Sequence, residues 1–279
     1  MRAHSLPVPQ AQLRAPCRHH PRELYHLLLS QSAQAVRELC KNPKYLGGEP
    51  GFIAILQTWS RRMLHHPHVH ILIPAVALSE DGCALLHPKN EEFLVSVFAL
   101  AARVRNLFNQ TLARQHPHLH RHIDPSLWQK DWVIDARPAG RGRSALRYLA
   151  AYVCKSAFNE NRLAGYDAQR RVLLRSKESS DGQWKLKALD PLELVRRWLL
   201  HVLPKGFVAI RHFGFLSPAA GRALRRVRFL LGRGPVRKPA PPPAFVALCR
   251  CCHKSMILVG RIAPVRGPPL SRPPLCCAA

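Results

Sequence analysis

The stretch that decides the fold is short and rich in histidine. It reads His65-His66-Pro67-His68-Val69-His70-Ile71-Leu72-Ile73. The β-branched and aliphatic residues at its end predict a strand. Because residues two apart on a strand point to the same face, His68 and His70 project their imidazoles together. The pair is a candidate for two metal ligands, although polar histidines on a solvated strand face would give the same pattern.

A partner strand is predicted at residues 52–59, before a basic connection. A hairpin register centred on that connection places Gln57 opposite His70 and Trp59 opposite His68. Opposed Cβ atoms lie ~5 Å apart, so the amide oxygen of Gln57 is the candidate third ligand. Two imidazoles and one oxygen leave positions open, as a catalytic metal requires. Imidazoles favour zinc or a late transition metal, whereas phosphoryl transfer would favour Mg²⁺ or Mn²⁺.

The His-x-His pattern occurs a second time, at His118 and His120. The residues that follow this copy do not continue a strand, so a basic loop that is structural or contacts phosphate is expected there. The first copy therefore carries more weight as a metal site.

The charge of the chain points to a polyanionic partner. Its 279 residues include 43 Lys and Arg but only 16 Asp and Glu, which gives a net charge of +27. Nucleic acid is the default partner of such a chain, with a basic secreted or membrane-surface protein as the alternative. No apolar run reaches the ~18 residues of a membrane span, so no membrane partner is expected. The nine cysteines are an odd number, which suits reduced thiols in the cytoplasm.

Hydrophobic periodicity predicts an α+β fold. Helices are expected at residues 23–40, 91–114, 144–157, 190–203 and 218–231, and strands at 52–59, 68–77, 131–137, 170–175, 183–187 and 207–212. We divide the chain into an N-terminal helical segment (1–50), a central catalytic domain (51–232) and a Pro-rich linker with a Cys-rich tail (233–279).

The helix expected at 144–157 carries two tyrosines. At ~100° per residue, Tyr148, Tyr152 and Lys155 project from one side. The opposite, apolar side comprises Leu146, Leu149, Ala150, Val153 and Ala157. A phenol with its usual pKa of ~10 is a weak nucleophile at neutral pH unless a metal or cation assists. The tyrosines are therefore candidate nucleophiles, with an aromatic platform for bases or rim packing as alternatives.

A His-hydrophobe-His strand followed by a helix with two tyrosines four apart resembles the HUH single-strand nucleases. More narrowly, it resembles the two-tyrosine transposases of bacterial rolling-circle insertion sequences, relatives of the Helitron transposases. The matching stretches are 51–59, 66–70, 78–82, 147–153, 161–163 and 203–218, which cover about residues 20–235 in the family's order.

The resemblance implies an antiparallel sheet with flanking helices and a metal-dependent strand transferase. One tyrosine would attack single-stranded DNA at an element end, leaving a 5′-phosphotyrosine and a free 3′-hydroxyl, and the second would serve the other exchange. Mg²⁺ or Mn²⁺ would be the cofactor at His68, His70 and Gln57, with no small-molecule cofactor. The protein would act in the bacterial cytoplasm at the nucleoid.

Four basic residues near the tyrosines are candidates for nucleic-acid binding. They are Arg141, Arg143, Arg147 and Lys155. A double-stranded integrase mechanism is disfavoured because no carboxylate trio stands out. A basic RNA-binding or ribosome-associated protein is a further alternative, which the ordered set of motifs disfavours.

Three departures from the family leave alternatives open. The family usually carries histidine where this chain has Gln57, and an amide is a weaker ligand. The segment Ser5-Leu6-Pro7 resembles the end of the family's first strand, which raises the alternatives of an N-terminally truncated copy and of a sheet that lacks one strand. The tail holds a Cys-x-x-Cys half-site at Cys249 and Cys252, either part of a zinc knuckle with Cys276 and Cys277 or frayed reduced thiols. A weakened or inactive DNA-binding remnant is therefore the second hypothesis.

Overall fold

A computed structural model describes most of the chain. The described residues are 2–7, 11–60, 63–89, 94–138, 144, 147, 150, 157–177, 182–234, 246–249, 251–257 and 260. The chain divides into two compact units, residues 1–235 and residues 236–279.

The first unit contains the regular elements. Its strands are β1 (Arg2–Pro7), β2 (Glu49–Trp59), β3 (His65–Ile73), β4 (Ala77–Leu78), β5 (Leu85–Leu86), β6 (Asp135–Pro138), β7 (Leu163–Tyr166), β8 (Val172–Lys177), β9 (Trp184–Leu189) and β10 (Ile210–Gly214). Its helices are α1 (Ala11–His19), α2 (Pro21–Lys41), α3 (Val97–Gln115), α4 (Pro117–Arg121), α5 (Pro191–Leu199) and α6 (Gly221–Leu230).

The strands form two antiparallel sheets. The larger has the order β5-β4-β2-β3-β1-β6, with β10 also paired to β2, and the smaller has the order β7-β8-β9. The predicted α+β fold, an antiparallel sheet with flanking helices, is confirmed. In the part of the chain that the structure covers, no helix is both long enough and apolar enough to cross a bilayer.

The alternative of a sheet that lacks one strand is wrong for this chain. Strand β1 lies between β3 and β6, with Ser5 opposite His70 on one side and opposite Asp135 on the other. Residues 1–50 therefore contribute a strand to the sheet as well as the helices α1 and α2.

One face of the β2–β3 hairpin packs against the helices. The core there combines Phe52, Ala54, Leu56, Val69, Ile71 and Ile73 of the strands with Leu24, Leu28 and Val36 of α2 and Leu100, Val104 and Phe108 of α3. Each fully buried side chain of this size stabilises the fold by about 1.5–3 kcal/mol. The alternation of β-strands then assigns Gln57, His68 and His70 to the opposite face.

Several predicted elements are confirmed with shifted ends. The helix predicted at 23–40 is α2, whereas α3 starts at Val97, six residues later than predicted, because the Ser96 hydroxyl caps it by accepting a bond from the Ala99 amide (3.4 Å). Asp190 caps α5 and accepts bonds of 2.8 and 3.3 Å from the Leu192 and Glu193 amides.

The expected loop around the second His-x-His copy is wrong. Residues Pro117–Arg121 form α4, with proline in the first turn, where it is tolerated. Residues two apart on a helix do not share a face. The ring of His120 instead bonds to Asn109 Oδ1 (2.6 Å) and stacks on Trp128 at 5.6 Å between centroids.

A glycine pair joins β10 to β2. Gly214 lies opposite Gly51 and has a φ of 57°, a conformation that disfavours any other residue. A Cβ atom at Gly214 would overlap the carbonyl oxygen of Pro50, and one at Gly51 would overlap the ring of Phe215. The close approach of these strands therefore depends on both glycines.

The second unit is described only in part. Its residues form a small turn in which the Cys249 amide donates to the Lys254 carbonyl and the His253 amide to the Cys249 carbonyl, both at 2.9 Å. Cys249, Cys251 and Cys252 are free. Cys276 and Cys277 lie outside the described residues, so the zinc knuckle stays a prediction.

Candidate functional site

The hairpin register differs from the predicted one by two residues at Gln57 and by three at Trp59. Gln57 lies opposite His68, not opposite His70, and Trp59 lies opposite His65, not opposite His68. Strand β3 already begins at His65, which shortens the connection, and the ladder is irregular between Gln57 and Trp59. The shift of two at Gln57 keeps Gln57, His68 and His70 on one face, so Gln57 still neighbours both histidines, whereas the shift at Trp59 is three.

The three predicted metal ligands converge. Nε2 of His68 lies 2.9 Å from Nε2 of His70, which in turn lies 3.1 Å from Oε1 of Gln57. All three residues are buried, with exposed fractions of 9% for His68, 7% for His70 and 6% for Gln57. Nδ1 of His68 donates to the carbonyl oxygen of His66 (2.7 Å), because a carbonyl can only accept. This bond sets the tautomer of His68 and leaves the lone pair of its Nε2 facing His70.

The donor separations fit a divalent cation. Adjacent ligands of an octahedral ion with bonds of about 2.1 Å lie roughly 3 Å apart, and the two separations bracket that value. Within the described ranges, no three His, Cys, Asp or Glu residues cluster so that they could hold a metal. A cation held by His68 and His70 would have the Gln57 amide oxygen as the nearest third protein donor.

Burial keeps both imidazoles neutral at physiological pH. Desolvation lowers the pKa of His68 to about 4, and desolvation together with the nearby His68 lowers the pKa of His70 to about 3. A metal ligand must be an unprotonated imidazole. The site therefore presents ligands that need not lose a charge before they bind a cation.

A cation from α1 lies at the edge of the site, where sequence reasoning missed it. Nη2 of Arg14 is 3.4 Å from Nδ1 of His66, whose ring centroid is 5.1 Å from that of His68. Burial and Arg14 together lower the pKa of His66. No local pattern links Arg14 to a residue 52 positions later, so only the packing of α1 reveals the contact.

The candidate nucleophiles Tyr148 and Tyr152 lie outside the described residues. The same holds for Arg141, Arg143 and Lys155, so their roles stay predictions. Ser144, Arg147 and Ala150 are helical and exposed, as a DNA-contacting Arg147 requires. The exposure of Ala150 contradicts its predicted place on the apolar side of the helix.

A second histidine cluster lies on the opposite face of the hairpin. The hydroxyl of Tyr25 is 2.7 Å from Nε2 of His65. Nε2 of His201 donates to the Met63 carbonyl (3.2 Å), while its Nδ1 is 3.3 Å from the Thr58 hydroxyl. The two imidazole rings stack at 6.4 Å between centroids. This cluster connects α2, the end of the hairpin and the segment after α5.

The comparisons with known proteins agree on one family. The family model Y2_Tnp, described as "Putative transposase", matches residues 51–223. A protein of Sinorhizobium fredii (strain NBRC 101917 / NGR234), "Putative transposase y4qJ", is 31% identical over 283 residues, covering 88% of this chain and 70% of the relative. The "Transposase for insertion sequence element IS801" of Pseudomonas savastanoi pv. phaseolicola is 26% identical over 185 residues, covering 62% of this chain and 45% of the relative.

No solved structure matches the chain. The family match nevertheless includes β3, all but the first two residues of β2 and the positions of Tyr148 and Tyr152, and it spans more than half of the sequence. The chain therefore belongs to the Y2_Tnp family, the insertion-sequence transposases of the IS801 type.

Proposed function

We propose that this transposase nicks and joins single-stranded DNA through a 5′-phosphotyrosine intermediate. The observation that carries the proposal is that His70 Nε2 lies 2.9 Å from His68 Nε2 and 3.1 Å from Gln57 Oε1 on a buried strand face. These atoms would hold Mg²⁺ or Mn²⁺, which supplies Lewis-acid polarisation of the scissile phosphate. The metal dependence of the reaction is part of the proposal.

The phenol of Tyr148 or Tyr152 is the nucleophile. Its oxygen forms a bond to phosphorus, the bond from phosphorus to the 3′ oxygen breaks, and the phenolic proton replaces phosphorus on that oxygen. A 3′-hydroxyl then attacks the phosphotyrosine in the joining step and restores the phenol. The bond energy is conserved in the phosphotyrosine, so no nucleoside triphosphate or other small-molecule cofactor is required.

The histidines and their neighbours position the reacting phosphate. The bond from His68 Nδ1 to the His66 carbonyl holds the ring orientation. Arg14, at the edge of the site, adds a positive charge close to His66. The net charge of +27 supports binding of DNA. In our proposal this binding takes place in the bacterial cytoplasm, at the nucleoid.

A DNA-binding remnant without efficient catalysis is the second candidate. The observation that favours it is the amide at Gln57, because a neutral amide oxygen binds a cation more weakly than an imidazole nitrogen. Such a protein would retain salt-dependent DNA binding through its basic surface. The two candidates differ in covalent chemistry, not in affinity for DNA.

The test is formation of a covalent protein–DNA adduct. Full-length protein is incubated with single-stranded oligonucleotides that contain element ends, with and without Mn²⁺ or Mg²⁺, and analysed on a denaturing gel. We expect a metal-dependent adduct that is lost in Tyr148→Phe or Tyr152→Phe. The control is Tyr166→Phe, since Tyr166 is 73% exposed on β7. Salt-dependent binding of single strands without any adduct would favour the remnant.

A further inference from the structure

The small sheet has one buried face and one open face. Val172, Leu174 and Ser176 of the central strand β8 are 5%, 2% and 2% exposed, and they point to the same side. Leu173 and Arg175 point to the other side, where Leu173 is half-buried and Arg175 is exposed. Strand β8 is therefore covered on one side only.

The open face carries a tryptophan and a leucine from the edge strand β9. The register pairs Leu186 with Arg175 and Trp184 with Lys177, which assigns both apolar residues to the open face. Trp184 is 65% exposed and Leu186 is 59% exposed. They are two residues apart on one strand, so they stand side by side. The pair forms a contiguous apolar patch, and contiguous exposed patches, unlike scattered apolar residues, can mark binding surfaces.

The charges around this pair indicate the chemistry of the partner. Strands β7, β8 and β9 contain no Asp or Glu, and the exposed Arg175 lies opposite Leu186 in the ladder, on the open face. An exposed aromatic ring with a cation next to it offers a base a π-face and a phosphate a counter-charge. Bases in a duplex are already stacked on each other, so the arrangement fits single-stranded nucleic acid.

The chain path connects the small sheet to the hairpin. Strand β9 ends at Leu189, and Asp190 immediately caps α5. Shortly after α5, His201 bonds to Thr58 and to the Met63 carbonyl at the end of the β2–β3 hairpin. All of these residues belong to the same compact unit. DNA bound on the small sheet would therefore be held by a segment that is anchored to the element with the metal site.

We propose that Trp184, Leu186 and Arg175 form a base-stacking platform for single-stranded DNA. Trp184 stacks on a base, Leu186 covers the adjoining apolar edge and Arg175 pairs with a phosphate. The proposal rests on the proposed function in one respect, namely that single-stranded DNA is the substrate. It does not depend on the metal or the tyrosines.

The experiment measures binding, not cleavage. Full-length protein is titrated, without divalent cations, with a mixed-sequence 20-nucleotide single strand and with the corresponding duplex, and Kd is followed by fluorescence anisotropy. We expect Trp184→Ala to weaken single-strand binding about tenfold and to leave duplex binding unchanged. Trp184→Phe keeps most of the affinity, because phenylalanine retains a ring for stacking.

Matched controls distinguish stacking from a general loss of aromatic surface. Trp198→Ala, which removes another half-exposed tryptophan, should leave both Kd values unchanged. Arg175→Ala should lower the slope of log Kd against log salt by about one for the single strand. Circular dichroism confirms that the variants are folded.

Two outcomes would contradict the base-stacking platform and leave the proposed nicking and joining function unaffected. Equal single-strand Kd values for wild type and Trp184→Ala would remove the platform, while the adduct test would still stand. A change in oligomeric state on Trp184→Ala, with DNA affinity unaltered, would identify the face as a contact between protein chains. Failure of adduct formation, in contrast, would leave the binding result valid.

Discussion

The two faces of the β2–β3 hairpin each bury histidines, but the surroundings of those histidines differ. On the helix-covered face, His65 and His201 bond to oxygen atoms of Tyr25, Thr58 and Met63. On the other face, the Nε2 atoms of His68 and His70 point at each other across 2.9 Å. Burial lowers the pKa of all four.

The difference teaches that burial and a low pKa do not identify a metal site. Both faces share these properties because both are desolvated. What separates them is where the ring nitrogens point. Nitrogens that bond to oxygens of other elements hold those elements together, whereas nitrogens that converge on one another and on an amide oxygen have the arrangement of the cation site that we propose.

The largest expected effect comes from His70→Ala. It removes one of two imidazole ligands, so adduct formation should fall at least ~100-fold, measured as the initial rate with Mn²⁺. The fold should persist in far-UV circular dichroism, because the apolar core lies on the other face. His118→Ala is the control, since it alters the exposed His-x-His copy. An equal loss of activity in both variants would contradict the assignment.

The second prediction concerns His65 on the other face. His65→Ala leaves a cavity and a buried Tyr25 hydroxyl without its partner, which should cost about 3 kcal/mol of unfolding free energy. Urea denaturation measures the loss. Adduct formation per folded molecule should change less than about threefold. Tyr25→Phe, which deletes only the hydroxyl, should cost about 1 kcal/mol; a cost equal to that of His65→Ala would argue against a cavity term.

The third prediction is a pH dependence of stability. Burial is the main cause that lowers the pKa of His65 to about 4, against 6.5 as its ordinary value. The unfolded chain therefore binds a proton first, so the stability from neutral His65 is complete above pH 6.5 and is lost as pH falls towards 4. The loss should be roughly 2–3 kcal/mol.

Urea denaturation between pH 7 and pH 4.5 tests this sign. In His65→Gln the unfolding free energy should depend less steeply on pH, by up to about 1.4 kcal/mol per pH unit. His68 and His70 still titrate in that variant, so some slope remains. An unchanged slope would mean that His65 is as accessible to protons in the folded state as in the unfolded state.

The smallest expected effect is a change in cation affinity at the proposed metal site. Gln57→His replaces an amide oxygen that lies 3.1 Å from His70 Nε2 with an imidazole nitrogen. Affinity for Mn²⁺ should rise about tenfold, or about 1.4 kcal/mol, measured by calorimetry. Gln115→His at the exposed end of α3 is the control. Lower affinity in Gln57→His would show that the site is shaped for the amide.

Much of the hairpin could be predicted because strand alternation is local. The two-residue period assigns His68 and His70 to one face, and the predicted pairing of Gln57 with that face survives a register shift of two. The register itself depends on where β3 begins and on the irregular step after Gln57. Neither leaves a clear mark in the sequence.

Contacts between distant segments could not be predicted in this way. Tyr25 and His65 are 40 residues apart, and Thr58 and His201 are 143 apart. The exposure of the open sheet face could not be predicted from periodicity either. The alternation in Trp184-Lys185-Leu186-Lys187 would normally predict that the apolar residues face a core. Only the fold shows that this side is uncovered.

The place of β1 between β3 and β6 has a consequence for how the chain folds. Its partners β3 and β6 begin at His65 and Asp135, so Arg2–Pro7 leave the ribosome long before either partner is available. Pairing across such sequence separations is slow, because loop closure must precede the contact. Strand β1 can cover the edge of β3 once residue 73 has emerged, but the other edge of β1 remains open to strands of other molecules until residue 138 has emerged. Nascent chains of this protein are therefore most prone to aggregate between the synthesis of β3 and that of β6.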